Sequence, residues 1–229
     1  MKQERVQKLI ANYGFISRRK AEVLIQEGRV KVNDKLVSIG DICSEEDVIY
    51  VDNKPIEKEK RVYLMFNKPV GCVTAVSDPK FKTVIDYIKI PERIFPVGRL
   101  DYNTSGLLIL TNDGEFANKI AHPRYETKKT YLVNIDKAIT NQQLNQIENG
   151  IIIEGIKTSK AQTKTRSPTQ VEVTIHEGRN RIVRKIFHEL GFRIKTIERI
   201  KIGNLSLGNL KLKTYRFLTK EDTDHLFEK

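Results

Sequence analysis

Residues 98–115 read GRLDYNTSGLLILTNDGE, a polar loop followed at once by a strongly apolar run. The run Leu107–Leu110 predicts a buried strand. Reactive groups are usually displayed on loops at the edge of such a scaffold, so Asp101 is a candidate catalytic carboxylate. Spacing alone favours a simpler interpretation, in which Asp101 caps a turn with Asn103 and Thr104.

The segments around this stretch mix strand and helix patterns. Apolar runs predict strands at residues 62–66, 71–76, 131–135 and 171–175. Helical patterns cover residues 115–121, 141–148, 181–190 and 220–227, and the second of these follows Thr140 and Gln143 in capping-box spacing. Because strands and helices alternate irregularly, we expect an α+β fold with a mixed, mainly antiparallel sheet flanked by helices.

The first 55 residues have a pattern of their own. Two short helices are predicted, one ending at Gly14 and one beginning after Ser17. Asn33 and Asp34 stand between two short apolar runs and predict a tight hairpin. Residues 56–61 are rich in Lys and Glu, as expected of a linker. The sequence therefore predicts a small domain at residues 1–55, a linker at 56–61 and a larger domain at 62–229.

The chain is strongly basic, with 41 Lys or Arg against 29 Asp or Glu and a formal net charge of +12. Such a surface attracts RNA, DNA or acidic membrane, and composition does not choose among them. Residues 1–35 hold nine basic and four acidic side chains, and residues 176–201 hold eight and three. No apolar run approaches the length of a membrane span or a signal peptide, so we expect a cytoplasmic protein with no membrane partner.

Metal and disulfide chemistry are not indicated. Cys43 and Cys72 lie far apart in the sequence and form no Cys-x-x-Cys unit. The four histidines are scattered without metal-ligand spacing. We predict no metal site.

Four segments together carry a resemblance to a known family. The run Gly98–Glu115 closely resembles the signature of the bacterial small-subunit and large-subunit rRNA pseudouridine synthases. Asn67–Gly71 is similar to the family's Lys-Pro-x-Gly segment, Lys129–Val133 to its Lys-x-Tyr-x-Val motif, and Glu177–Phe187 to its late basic motif. Residues 1–52 separately resemble the alpha-L RNA-binding domain, which is named after a ribosomal protein. Together these matches cover nearly the whole chain.

The resemblance implies roles for individual residues. Asp101, as the aspartate of the Arg-Leu-Asp triplet, would be the catalytic nucleophile. Tyr131 would pack against the target base, and Arg184 would pair with the catalytic carboxylate. Ile182 departs from the pattern, because many relatives carry glutamine or glutamate there, and we expect altered packing with retained activity. Taken singly, Tyr131 is better explained as a core residue and Arg184 as a solvated charge.

The expected RNA contacts are polar or basic residues near the motifs and on the N-terminal domain. In the larger domain they are Lys68, Arg99, Asn103, Lys129, Arg179 and Arg181. In the N-terminal domain they are Arg18, Arg19, Lys20, Arg29 and Lys31. The N-terminal set would hold nearby helical RNA and raise the local concentration of the target site.

The function implied is isomerisation of one rRNA uridine to pseudouridine, which needs no cofactor, by a protein assumed to be a monomer. The loop around Asp101 looks most like the branch that modifies a hairpin loop of large-subunit rRNA, with a small-subunit rRNA enzyme as the alternative. Two other interpretations remain. The chain could be a catalytically silent RNA-binding ribosome-assembly factor, or, on charge and helix pairs alone, a DNA-binding regulator, although no DNA partner is expected.

Overall fold

The structure, a computed structural model, describes residues 3–228. The chain divides into two compact units. The first runs to Val62 and includes Ile90–Ile94 and Asn112–Gly114. The second comprises Tyr63–Lys89, Phe95–Thr111 and the described chain from Glu115 onward. Both units combine helices with mainly antiparallel strands, which confirms the predicted α+β class.

The first unit consists of two helices and short strands. The helices are α1 (Val6–Asn12) and α2 (Arg18–Gln26), and the strands are β1 (Glu4–Arg5), β2 (Val30–Val32), β3 (Lys35–Leu36), β4 (Ile42–Cys43), β5 (Ile49–Val51) and β6 (Lys54–Pro55). Strands β3, β2, β5 and β6 form one antiparallel sheet in that order, and β1 pairs with β4. Apolar side chains of both helices pack against strands β2, β4 and β5 to form the core.

Local signals in this unit act as the sequence predicts. The Ser17 hydroxyl accepts a hydrogen bond of 3.3 Å from the amide of Lys20 at the start of α2. Asn33 and Asp34 have φ angles of 47° and 65°, the left-handed backbone that a two-residue hairpin turn requires. The start of α2 and the hairpin turn therefore follow from residues that are neighbours in sequence.

Residues 56–61, expected as a linker, make defined contacts within the first unit. Ile56 packs against its apolar core. The amide of Glu59 donates a hydrogen bond of 2.9 Å to the main-chain oxygen of Tyr13. Arg61 forms an ion pair of 3.1 Å with Asp113. The segment is therefore held to the unit over its length.

The second unit is built on one large sheet. Its strands are β7 (Tyr63–Lys68), β8 (Phe95–Pro96), β9 (Ser105–Thr111), β10 (Lys129–Ile135), β13 (Gln162–Ser167), β14 (Gln170–Ile175), β15 (Ile194–Ile202), β16 (Leu205–Ser206) and β17 (Tyr215–Phe217), and a separate pair is formed by β11 (Ile152–Ile153) and β12 (Ile156–Lys157). The main order is β13-β14-β10-β15-β9-β7-β17. The β9–β15 pair is parallel, whereas the neighbouring pairs are antiparallel.

Helices border this sheet. They are α3 (Gly114–Ala121), α4 (Asn141–Asn149), α5 (Ile182–Glu189) and α6 (Lys220–His225), with short 3-10 turns at Ile85–Tyr87 and Pro123–Tyr125. The predicted capping box of α4 is present, because the Thr140 hydroxyl accepts the amide of Gln143 and the Gln143 side chain accepts the amide of Thr140. Within residues 3–228, no helix is long and apolar enough to cross a membrane.

One predicted strand is wrong. Residues 71–76 form turns and bends, and only Val73 makes an isolated bridge, to Thr83. Gly71 has φ +81°, which breaks extended backbone directly after Pro69 and Val70. The segment therefore runs beside the loop that carries Asp101 instead of joining the sheet.

Candidate active site

Asp101 lies in a turn that precedes strand β9. The amide of Thr104 donates a hydrogen bond of 3.0 Å to the main-chain oxygen of Asp101, so the predicted turn is present. The Asp101 side chain is 33% exposed and points its carboxylate into a cavity. Asp101 therefore takes part in a turn and also presents its carboxylate to the cavity. The interpretation as a turn residue and the interpretation as a catalytic candidate are compatible.

The buried side chain of Lys68 supports this turn by hydrogen bonds. Its ammonium donates hydrogen bonds of 3.0 Å to the main-chain oxygens of Pro69, Asp101 and Thr104, which uses all three of its donors. The side chain is fully buried, and this burial lowers the pKa of Lys68. Lys68 was expected as an RNA contact. Its position instead supports the backbone of the loop.

The segment that replaces the wrongly predicted strand also holds the loop. The Thr74 hydroxyl donates a hydrogen bond of 2.7 Å to the main-chain oxygen of Leu100 and accepts one of 3.2 Å from the Leu100 amide. The amide of Gly71 donates a bond of 2.9 Å to the oxygen of Tyr102. The main chain on both sides of Asp101 is therefore fixed by hydrogen bonds, from the Thr74 hydroxyl at Leu100 and from the Gly71 amide at Tyr102.

The parallel pairing of β9 and β15 brings a buried cation, Arg199, to the cavity. Gly106 lies opposite Arg199, and a Cβ atom at Gly106 would lie 2.6 Å from the Arg199 main-chain nitrogen and closer still to its oxygen. Only glycine permits this approach. The Arg199 side chain is 3% exposed, and its Nε donates a hydrogen bond of 2.8 Å to the Leu107 oxygen.

Helix α5 supplies Arg184 to the same turn. Its Nη2 donates hydrogen bonds of 2.6 Å to the Asn103 main-chain oxygen and 3.3 Å to the Thr104 hydroxyl. Its Nε lies 3.7 Å from the Asp101 carboxylate. Burial and the neighbouring charge of Arg181 lower the pKa of Arg184, and Asp101 opposes that shift. The guanidinium thus faces the carboxylate at ion-pair distance.

Strand β10 adds Tyr131 and Lys129 to the cavity wall. Tyr131 is half-buried, packs against the apolar core between the sheet and α5, and lies opposite Arg199 in the sheet register. Lys129 donates a hydrogen bond of 2.9 Å to the Thr127 main-chain oxygen. Burial, and then the nearby charge of Arg199, lower the pKa of Lys129 to about 8.

The cavity at this place has a volume of about 280 Å³. Its basic lining residues are Arg99, Lys129, Arg179, Arg181, Arg184 and Arg199, against the carboxylates of Asp101 and Glu177. Arg179 Nε forms an ion pair of 2.8 Å with Glu177. The Nη2 atoms of Arg179 and Arg199 are buried and have no hydrogen-bond acceptor within the described residues. The cavity therefore offers unused donors beside the carboxylates of Asp101 and Glu177, which suits a polar, anionic ligand.

The structure brings most of the expected residues of the larger domain together. Asp101, Tyr131 and Arg184 line the cavity with Arg99, Lys129, Arg179 and Arg181, and Asn103 contributes its main-chain oxygen. The sequence-based set missed Arg199. The only sequence signal for it was its place in the basic stretch 176–201, because its burial depends on a strand pairing between distant parts of the chain.

The expected basic residues of the first unit form a separate group. Arg18, Arg19 and Lys20 are exposed at the start of α2. Arg29 is paired with Asp52 at 2.7 Å and with Glu27 at 2.9 Å. Lys31 donates a hydrogen bond of 2.9 Å to Asn53. No ion pair between described residues involves the start of α2, so its three exposed basic side chains are the part of this set most accessible to a ligand.

Comparison with known proteins follows the same division. Residues 62–189 match the family model described as RNA pseudouridylate synthase, and residues 4–49 match the S4 domain model. Residues 3–228 contain no group of three or more His, Cys, Asp or Glu side chains that could hold a metal ion.

Individual relatives cover nearly the whole chain. It is 44% identical over 232 residues to ribosomal large subunit pseudouridine synthase B of Bacillus subtilis, which covers 97% of this chain and 95% of the relative. It is 36% identical over 227 residues to the dual-specificity RNA pseudouridine synthase RluF of Escherichia coli, covering 98% and 78%. A crystal structure of a pseudouridylate synthase matches with a TM-score of 0.73 and 31% identity, covering 97% of this chain and 99% of the other.

Proposed function

This chain belongs to the RNA pseudouridylate synthase family, a family of isomerases, and on that premise we propose that it converts one uridine of large-subunit rRNA to pseudouridine. The observation that carries the proposal is the carboxylate of Asp101, displayed on a braced turn in a basic cavity 3.7 Å from Arg184. The large-subunit target is supported by the 44% identity to an enzyme that is named for that subunit.

The reaction is an internal rearrangement. The bond between uracil N1 and ribose C1′ breaks, the base turns within the cavity, and a bond forms between C5 and C1′. One proton leaves C5 and one is gained at N1, so no oxidant or cofactor is consumed. Catalysis therefore needs a carboxylate at the ribose, a closed space that retains the free base, and donors that fix the RNA.

In this proposal Asp101 engages the ribose, either by attack on C1′ or by accepting a ribose proton. Arg184 orients the carboxylate, since its guanidinium lies at ion-pair distance from Asp101 and is itself fixed to the turn. The Lys68 and Thr74 hydrogen bonds hold the turn so that the carboxylate does not reorganise during the reaction.

Tyr131 would pack against the uracil ring from the opposite wall of the cavity. The uridine must first leave its stack in the RNA, at a cost of about a few kcal/mol. A hairpin loop lowers that cost because its bases are already partly unstacked. Contact with the tyrosine ring would offset part of the free energy lost when the uridine leaves its stack.

The S4 domain would supply RNA affinity outside the cavity. Arg18, Arg19 and Lys20 present three cations on one turn of α2, where they can contact successive phosphates. Such contacts carry little sequence information, so they would hold the RNA while the cavity selects the uridine.

Tritium release tests the proposal directly. Fragments of large-subunit and small-subunit rRNA, labelled with tritium at uracil C5, would be incubated with the wild-type protein and with Asp101→Asn. We expect release from a large-subunit hairpin by the wild type only. Release from small-subunit fragments alone would move the target to that subunit. Release by both proteins would show that Asp101 is not the catalytic carboxylate. RNA binding without any release would favour a catalytically silent ribosome-assembly factor.

A further inference from the structure

Two exposed aromatic side chains lie at the turn that carries Asp101. Tyr102 belongs to the turn, and Phe81 contacts it. The rings of Phe81 and Tyr102 meet edge to face, with centroids 5.6 Å apart and planes inclined by 65°. Their side chains are 52% and 43% exposed. Tyr102 directly follows Asp101 in the chain, yet neither ring enters the cavity or the apolar core of the unit. The proposed reaction leaves this pair without a role.

Both rings are presented by braced backbone. The main-chain oxygen of Tyr102 accepts the Gly71 amide at 2.9 Å. The amide of Phe81 donates a hydrogen bond of 2.9 Å to the Asp78 carboxylate, which also accepts the amide of Lys80 at 2.9 Å. An aromatic surface on fixed backbone loses little conformational entropy when a ligand covers it.

We propose that Phe81 and Tyr102 form a stacking platform for an unpaired RNA base next to the target nucleotide. The inference rests on the proposed function, in which a uridine leaves its stack to reach Asp101. The bases beside it then lose a stacking neighbour, and an exposed ring one residue from Asp101 can replace that neighbour. Stacking on an aromatic ring is tolerant of base identity. The platform would therefore add affinity without selecting the sequence.

The charges around the pair favour RNA over an apolar protein surface as the occupant. Lys80 and Lys82 are exposed on both sides of Phe81, and Arg99 is exposed on the turn before Tyr102. The nearby carboxylates of Asp78 and Asp86 accept main-chain amides of their own turns. Cations interleaved with aromatic rings suit a ligand that alternates phosphates and bases.

Fluorescence of 2-aminopurine tests the platform. Hairpin fragments of large-subunit rRNA would carry 2-aminopurine at each loop position in turn, and binding would be measured to Asp101→Asn, which we expect to bind the RNA without turnover. We expect quenching at one position. Adding Tyr102→Ala or Phe81→Ala should abolish that quenching and raise the dissociation constant about tenfold. Adding Tyr102→Phe should preserve both.

An aromatic pair on strand β17, with one exposed ring, provides the control. Tyr215 and Phe217 also meet edge to face, at 6.4 Å, and Phe217 is 53% exposed. Phe217→Ala should leave quenching and affinity unchanged. Equal losses in Phe217→Ala, or unaltered quenching in both Tyr102→Ala and Phe81→Ala, would overturn the platform. Thermal melting would verify that each variant is folded.

Tritium release by the wild type separates this inference from the proposed function. Release together with unaltered quenching in the alanine variants would refute the platform alone. Position-specific quenching that depends on Tyr102, without any release, would refute the isomerase activity alone. Absence of binding by every hairpin would refute both.

Discussion

The buried ammonium of Lys68 donates a hydrogen bond of 3.0 Å to the main-chain oxygen of Asp101. Replacing it in Lys68→Met removes three donors and leaves three buried or partly buried carbonyl oxygens without them. We expect a loss of about 2–4 kcal/mol in the free energy of unfolding, measured by urea denaturation. Lys211→Met, at an exposed position, is the control. Equal stability of the two variants would contradict the supporting role of Lys68.

Gly106→Ala tests the close approach of strands β9 and β15. The added Cβ would overlap the Arg199 backbone at a residue with φ +107°. We expect a loss of more than about 3 kcal/mol, or failure to accumulate as soluble protein. Gly155→Ala is the matched control, because Gly155 has φ +77° with nothing within 4 Å, and it should lose only about 1 kcal/mol. Similar losses would mean that backbone strain alone, and not the clash, determines the effect.

Lys129 gives a pH-dependent prediction. Its pKa is lowered to about 8 in the folded protein, so between about pH 8 and pH 10.5 the unfolded chain holds a proton that the folded chain has lost. The wild type therefore gains stability from this residue as the pH rises through that window.

The variant Lys129→Met lacks this titration. At pH 7 it should be about 1–2 kcal/mol more stable than the wild type, allowing for solvent screening, and the difference should shrink toward pH 10. Paired melting curves across that range measure it, with the exposed Lys128→Met as control. A constant difference across the range would be inconsistent with a depressed pKa.

Arg184→Lys tests the ion pair under the proposed function. Lysine keeps the charge but cannot make the fork that contacts Asn103, Thr104 and Asp101 together. We expect kcat for pseudouridine formation to fall about 100-fold with a smaller change in KM. Arg193→Lys, where the side chain is 92% exposed, should retain full activity. A change confined to KM would indicate a binding role for Arg184 instead.

The start of α2 can be tested by salt dependence. The double variant Arg18→Ala, Lys20→Ala should weaken RNA binding and reduce the slope of log affinity against log salt by about 1–2. The control Lys54→Ala, Lys60→Ala removes the same charge from exposed positions of the same unit outside α2. Identical slopes for the two variants would show that RNA affinity depends on the net charge of the protein and not on the position of these residues.

The sequence predicted what depends on neighbouring residues. The Ser17 cap, the Asn33–Asp34 turn and the capping box of α4 all form as expected, because each joins residues within a few positions of one another. The turn after Asp101 belongs to the same class. Each of these features joins residues within one turn of backbone, so the local sequence is sufficient to predict it.

Long-range contacts account for what the sequence did not predict. Residues 71–76 are apolar enough for a strand, but Thr74 bonds to Leu100 instead. Lys68 was expected in contact with RNA because nothing in its neighbourhood in sequence shows that three carbonyl oxygens surround it. Arg199 was missed for the same reason. Arg29 was expected to contact RNA, and the sequence around it does not show that Asp52 pairs with it.

The bond between Arg199 and Leu107 joins residues 92 positions apart. A chain emerging from the ribosome therefore exposes the segment of Asp101 long before strand β15 exists to flank it. Five further strands and three α-helices are synthesised after β9 before its parallel neighbour β15 is made. Nascent chains that stop short of β15 would contain the aspartate but lack the cavity residues that β15 supplies, so the complete cavity can form only after β15 has been synthesised.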